Sequence, residues 1–308
     1  MNQAIDRTKV ALEPFHIDQY VAAVESSGAK VSPITDDVGA LIWLDYGQPE
    51  VLAKVLDANP QIEWVQLPFA GVDAFSEILS RKVRFTSAKG SYAEPVAEHA
   101  MALALALGRI IPERARAQTW GRKFANSFYD SKILIVGGGG ITEELLKFLS
   151  PYHAEITVVR KHPGTTLQGC HEVPFTALDE YLPQADLVFL ACALTSETTQ
   201  LFNRRRFQAM KDTAVIVNVA RGGVIDTDAL VAALNSAEIA GAAVDVTDPE
   251  PLPDGHPLWS ADNVLITPHT ADTKDQVIRL FSLRIAENVL AYQGKGQWVG
   301  QVDPNLGY

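Results

Sequence analysis

The 308-residue chain reads as α/β, built from two Rossmann-like doubly wound domains. Length is the first reason, because at roughly 100 to 200 residues per domain it provides for about two cores. Second, short apolar runs alternate with stretches of helical period along most of the chain. Third, "VGGGGITEEL" at 136–145 sets glycines between an apolar strand and a helix-forming segment. A hydrophobic fraction of 47% with 20% charged residues is ordinary for a folded chain and argues against disorder or a fibrous repeat.

In the first unit, Val10–Leu12, Leu41–Leu44, Trp64–Leu67 and Val83–Thr86 read as strands, and Tyr20–Ser26 and Pro49–Ala58 as helices between them. The Ala/Leu-rich segment 94–120 reads as one connecting helix that carries Glu98 and His99, and His99 is expected to be a packing or interdomain residue. A second unit opens at Lys132. Its strands are Ile133–Val136, Ile156–Val159, Leu187–Ala191, Ala214–Val219, Ala242–Val246 and Val264–Thr267. Asp226 or Thr227 caps a helix running through Leu230 and Leu234. Lys274–Tyr292 is again helical and is expected to return to the first unit.

Net charge is -11 and the sequence pI is near 5.1, which argues against a phosphate backbone as partner. The basic "NRRRF" at 203–207 is therefore expected to be an exposed helix start. Cys170 and Cys192 have no metal-type or disulfide spacing and are expected to be free thiols of a cytoplasmic protein. His153, His171 and His256 have no ligand spacing either, so no metal is expected. The start of the chain lacks a basic segment followed by an apolar one. The longest apolar run, Ala100–Leu107, falls far short of the ~18 residues a membrane span needs.

The glycine loop carries a nucleotide reading. Gly137 permits the tight turn, and Gly139 lets phosphate approach backbone N–H groups at a helix start near Thr142. Gly140 leaves room to adjust. Thr142 stands where a third glycine would allow close helix packing, so a slight displacement of the helix is expected. About 20 residues on, where an NAD site carries an acidic residue for the ribose, the strand ends in "VVRKHP". Arg160 and Lys161 suit a 2′-phosphate instead, so NADP(H) is preferred and NAD(H) stays open.

Taken in order, "PFAGVDAF" (68–75), "AEPVAEHA" (93–100), the glycine loop, "VNVARGGVIDTDALVAAL", "AGAAVDVTDPEPLP", "HPLW" and "VLITPHTAD" resemble the D-isomer-specific 2-hydroxyacid dehydrogenase family, up to a terminal "NLGY". The resemblance implies a flavodoxin-like substrate-binding domain at 1–100 plus 274–308, completed by the C-terminal helix, and a dinucleotide-binding domain at 101–273. It implies that Arg221 orients substrate and that His269 is the acid/base, supported by Glu250. A 2-oxo acid needs a cation for its carboxylate or carbonyl, a proton for its oxygen and a hydride from nicotinamide. Ala70 and Gly71 are expected to meet the substrate carboxylate through their backbone. Ile141, Ala193, Val219, Ala220 and Asp245 are expected at the cofactor, Asp245 beside the carboxamide.

The function so implied is NADP(H)-preferring interconversion of small 2-oxo acids, of the glyoxylate or hydroxypyruvate type, and D-2-hydroxy acids by a homodimer. A 3-phosphoglycerate dehydrogenase-like enzyme and a dinucleotide-sensing corepressor-like protein are the alternatives. Departures from the family pattern are Thr142, Asp272 after "PH", and Ala193 in place of a common proline, which is expected to loosen its loop.

Overall fold

The computed structural model describes residues 4–121, 124–164 and 167–303, so the terminal "NLGY" lies outside the described residues. These residues form two compact units, Met1–Tyr92 with Thr273–Tyr308, and Ala93–Asp272.

In the first unit, strands β1 (Lys9–Glu13), β2 (Lys30–Val31), β3 (Ala40–Trp43), β4 (Trp64–Gln66) and β5 (Arg84–Thr86) make a parallel sheet in the order β2-β1-β3-β4-β5. That is the flavodoxin-like order. Helices α1 (Asp18–Ser26) and α2 (Pro49–Ala58) match the helical stretches of the sequence, whereas the two-residue β2 has no apolar run to announce it.

In the second unit, α3 (Ala93–Gly108) is followed by the short α4 (Ile111–Arg116). The connecting helix therefore stops well before Trp120, contrary to its periodicity. Gly108 lies flush against Phe128, where a Cβ would come within 2.7 Å of the ring, and Ile110 turns left-handed at φ 47° before Pro112. Seven parallel strands follow: β6 (Lys132–Val136), β7 (Glu155–Arg160), β8 (His171–Pro174), β9 (Leu187–Leu190), β10 (Val215–Asn218), β11 (Gly241–Val244) and β12 (Val264–Ile266). Their order, β12-β11-β10-β9-β6-β7-β8, is the doubly wound pattern with its reversal between β6 and β9. Edge strand β8 was not expected, because its outer positions are solvated and break the apolar run.

Helices α5 (Gly140–Leu149), α6 (Leu178–Tyr181), α7 (Arg204–Ala209) and α8 (Thr227–Asn235) complete this unit. Two apolar cores form, one on each face of the sheet. Asp226 caps α8 by accepting from the Ala229 N–H. The "NRRRF" segment is the start of α7, where Arg205 and Arg206 pair with Asp179. No helix among the described residues is long and apolar enough to cross a membrane.

The last helix, α9 (Lys274–Tyr292), packs on the first unit. Phe281 meets Tyr20 of α1 edge-on, with ring centres 5.2 Å apart. A buried polar network sets its position. The Asn288 side-chain amide donates to Gln66 Oε1 at 2.7 Å and to the Val299 carbonyl at 2.9 Å, and its oxygen accepts from the Val299 N–H. Gln66 Oε1 also accepts from the Thr86 hydroxyl, which accepts in turn from the Trp64 indole. Buried Arg284 donates to the Ser87 and Lys89 carbonyls. Buried polar groups that lose a partner cost about 1–3 kcal/mol each. Asn288→Leu is therefore expected to destabilise the first unit by about 2–4 kcal/mol, read as a lowered guanidinium midpoint in tryptophan fluorescence.

Candidate active site

The glycine loop follows β6 at the point where the strand order reverses. Gly137 takes φ 114° and packs so closely against the Ala191 carbonyl that no side chain fits. Gly139 differs, since a Cβ there would meet nothing within 4 Å. The N–H groups of Gly138, Gly139, Gly140 and Ile141 find no acceptor among the described residues. Partly exposed donors at a helix start, beside open space, are what a pyrophosphate requires. The residues present thus fit a dinucleotide.

Helix α5 begins at Gly140, two residues before the expected start, and Thr142 is wholly buried with its hydroxyl donating to the Gly137 carbonyl at 2.8 Å. Where a third glycine would merely leave space, this side chain ties the helix to the turn.

Beyond β7, Arg160 lies over the glycine loop, its Nε 2.7 Å from where a Gly138 Cβ would stand. It pairs at 3.3 Å with buried Glu172, whose carboxylate also accepts from the Gly164 and Leu167 N–H groups. Burial pushes the Glu172 carboxyl up, but those two donors and the guanidinium outweigh it and hold the group below its ordinary value. Lys161 reaches Glu197 at 2.7 Å. Arg160 ends β7 and Lys161 follows it, each with a carboxylate partner that the sequence reading did not anticipate.

The loop of Cys192–Thr199 is tied down, in contrast to the loosening expected from Ala193. Buried Thr198 donates its hydroxyl to the Ala193 carbonyl and accepts from the Thr195 N–H, both at 2.7 Å. Cys192 is a free thiol that burial pushes up to about 12, and burial raises Cys170 as well.

After β10, the buried Asn218 side chain shapes the segment carrying Val219, Ala220 and Arg221. Its oxygen accepts from the Ala220 N–H and its amide donates to the Arg221 carbonyl, each at 3.0 Å. Arg221 itself donates to the Ala220 carbonyl. The next residue, Gly222, contacts the Thr247 main chain so closely that a Cβ has no room. This contact presses the Arg221 segment against the loop leading to Glu250, and Thr227 adds a hydroxyl bond to the Asp248 carbonyl.

Glu250 Oε1 lies 2.6 Å from His269 Nδ1. An ionised carboxylate only accepts, so Nδ1 carries a proton and Nε2 is left to exchange one. His269 occupies a left-handed backbone conformation, φ 52°, at the end of β12. Non-glycine residues hold such conformations only where their surroundings dictate them.

Asp245 supplies that constraint. Only 2% exposed, it accepts from Thr267 Oγ1 at 2.6 Å and the Thr270 N–H at 2.9 Å through Oδ1, and from the Ala271 N–H at 3.1 Å through Oδ2. Its carbonyl accepts the His269 N–H at 2.8 Å. Burial alone would push the Asp245 carboxyl up. Donors from His99, Thr267 and Thr270 outweigh that effect and keep it below the ordinary carboxylate range. His99, read from sequence as a packing residue, stands with Nε2 3.0 Å from Thr267 Oγ1 and 3.4 Å from Asp245 Oδ1. No local signal marks this partnership, because its members lie on remote segments.

Nearby, His256 Nδ1 accepts from the Leu258 N–H, which accounts for the "HPLW" histidine as a turn cap. Among the described residues, no three side chains of metal-binding type converge. In the first unit, Ala70 and Gly71 follow β4, and neither backbone N–H has an acceptor among the described residues. Their loop is held by Phe69, stacked on Tyr92, and by the Tyr92 hydroxyl donating to the Pro68 carbonyl at 2.7 Å.

Comparison with known proteins gives this geometry its family. Residues 100–271 match the D-isomer specific 2-hydroxyacid dehydrogenase NAD binding domain. The chain is 34% identical to a glyoxylate reductase of Thermofilum pendens, over 78% of this chain and 74% of that one. It is 31% identical to a human glyoxylate reductase/hydroxypyruvate reductase, over 77% and 76%. A crystal structure of a D-isomer specific 2-hydroxyacid dehydrogenase from Xanthobacter autotrophicus Py2, in complex with NADPH and MES, superposes with a TM-score of 0.83 at 27% identity, covering 97% of this chain and 99% of that one. The chain belongs to the D-isomer specific 2-hydroxyacid dehydrogenase family and is an NAD(P)-dependent oxidoreductase acting on CH–OH groups.

Proposed function

We propose that this enzyme reduces small 2-oxo acids, of the glyoxylate or hydroxypyruvate type, to D-2-hydroxy acids and prefers NADP(H) to NAD(H). The observation that carries the reading is the 2.6 Å pair of His269 and Glu250 on a turn held by Asp245. The names of the Thermofilum and human relatives support the substrate class. NADPH in the Xanthobacter structure supports the cofactor preference, together with Arg160 and Lys161.

Gly137, Gly138, Gly139, Gly140 and Ile141 would hold the pyrophosphate, with Ala193, Val219 and Ala220 along the rest of the cofactor. Arg160 and Lys161 would meet the 2′-phosphate. Asp245 Oδ2 keeps an acceptor position after the Ala271 bond, which suits the carboxamide. The cofactor when bound supplies a hydride from its nicotinamide ring.

The chain's own groups do the rest. The N–H groups of Ala70 and Gly71, which have no acceptor among the described residues, are the first unit's candidates for a substrate carboxylate, and in the second unit Arg221 brings a permanent charge for the developing oxyanion. His269 Nε2 donates the proton that turns the carbonyl oxygen into a hydroxyl, while Glu250 holds Nδ1–H and stabilises the imidazolium before transfer. In the oxidative direction the same nitrogen accepts the proton. Asp272, half-buried two residues past Thr270, puts a carboxylate beside this turn and disfavours substrates with an acidic tail.

A homodimer in the cytoplasm fits this reading. Ile111, Trp120, Phe124, Tyr129 and Trp259 leave large apolar side chains exposed in the second unit, Trp120 by 91%, and β12 is an open sheet edge. Two free thiols agree with a reducing compartment.

Initial rates over a panel of 2-oxo acids should be higher with NADPH than with NADH, and highest for the small members. Equal or better activity with NADH would refute the part given to Arg160 and Lys161, and tight NADPH binding without turnover would favour a sensor. His269→Ala should lose on the order of 10² to 10⁴ in turnover with substrate binding retained. A loss of less than tenfold would remove it from the role. Thr142→Val, which deletes the bond to Gly137, should weaken NADPH binding several-fold in a fluorescence titration and leave the single-turnover rate nearly unchanged.

A further inference from the structure

The Asp245 cluster contains a histidine to which the proposed mechanism gives no role. His99 sits on α3, half-buried, with its Nε2 3.0 Å from Thr267 Oγ1. The direction of that bond follows from proton counting. A threonine hydroxyl has a single proton, and Thr267 Oγ1 lies 2.6 Å from Asp245 Oδ1, which can only accept. The hydroxyl proton therefore points at Asp245, and His99 must supply the N–H that Oγ1 accepts. His99 Nε2 is also 3.4 Å from Asp245 Oδ1, so the same protonated nitrogen faces the carboxylate directly.

The consequence extends to the acid/base. Thr267 is two residues from His269, and its carbonyl accepts the His269 N–H at 3.0 Å alongside the Asp245 carbonyl. Asp245 Oδ1 and Oδ2 then hold the N–H groups of Thr270 and Ala271 on the far side. A donor from α3 thus fixes the rotamer of Thr267, Thr267 orients the carboxylate, and the carboxylate clamps both flanks of a histidine in a left-handed conformation.

We propose that His99 is a positioning residue for the reaction, acting through Thr267 and Asp245 on the placement of His269. It touches no substrate and exchanges no proton in turnover. Its contribution is to keep the turn that carries the acid/base in one conformation. The inference rests on the proposed role of His269.

A double-mutant cycle with steady-state and single-turnover kinetics tests it, using His99→Leu, Thr267→Val and the pair, with NADPH and glyoxylate. His99→Leu keeps the bulk and removes the donor, and it should lower turnover about tenfold with KM for glyoxylate within about threefold. A tenfold loss corresponds to about 1.4 kcal/mol, the size of one hydrogen bond. The pair should be no slower than the worse single variant, because both interrupt one chain. His99→Gln, which restores an N–H, should recover most of the rate, whereas a merely structural role would move the melting temperature and show no such rescue. Turnover within twofold of the parent in His99→Leu, or single losses that multiply in the pair, would overturn the proposal. His269→Ala separates the two claims: if that variant keeps its rate, the reading of the site has failed, and if only the His99 cycle fails, the reading stands without this support.

Discussion

A carboxylate almost wholly withdrawn from water is the constraint on which the site depends. Asp245 sits at the end of β11, 2% exposed, and gathers donors from α3, from the end of β12 and from the turn beyond it. An unpaired charge in that position would be costly, so segments remote in sequence are drawn to it. Once they meet there, His269 has little choice of conformation, and its Nδ1 faces Glu250. His269 is thus positioned by a buried charge that lies one layer beneath it.

Two close approaches of backbone complete the arrangement. Gly137 against Ala191 brings the glycine turn to the reversal point of the sheet, and Gly222 against Thr247 brings the Arg221 segment to the Glu250 loop. In both places a methyl group would separate segments that carry different parts of the proposed site. Gly139 does something else, leaving space where a ligand can enter. Glycines of one loop therefore divide between close packing and open space, and their surroundings decide which.

Much of this was legible in the sequence. The apolar runs that became β6, β7, β9, β10, β11 and β12 are buried on both faces and unmistakable, while β2 and β8 are short edge strands with solvated positions and left no pattern. The connecting helix was read too long because its composition continues past Gly108, whereas the chain turns left-handed at Ile110 ahead of Pro112. Arg160, Lys161, Glu250 and His269 stood out by type and order. Their neighbours Glu172, Glu197, Thr267 and His99 did not, since a hydrogen bond between remote segments has no spacing to recognise. Thr142 looked like a defect because a motif counts glycines, and only the fold reveals its hydroxyl on Gly137.

The anchoring role of Asp245 is tested most directly by amide hydrogen exchange of the 267–272 turn in Asp245→Asn. The substitution keeps size and shape, but it sets an NH2 group against an N–H that now has an acceptor, at Ala271 or at Thr270. Exchange at that amide should rise at least tenfold, on the order expected from losing a bond worth about 1.5 kcal/mol or more to a charged group, and single-turnover reduction should slow with it. Unchanged protection of the turn together with an intact rate would contradict the account.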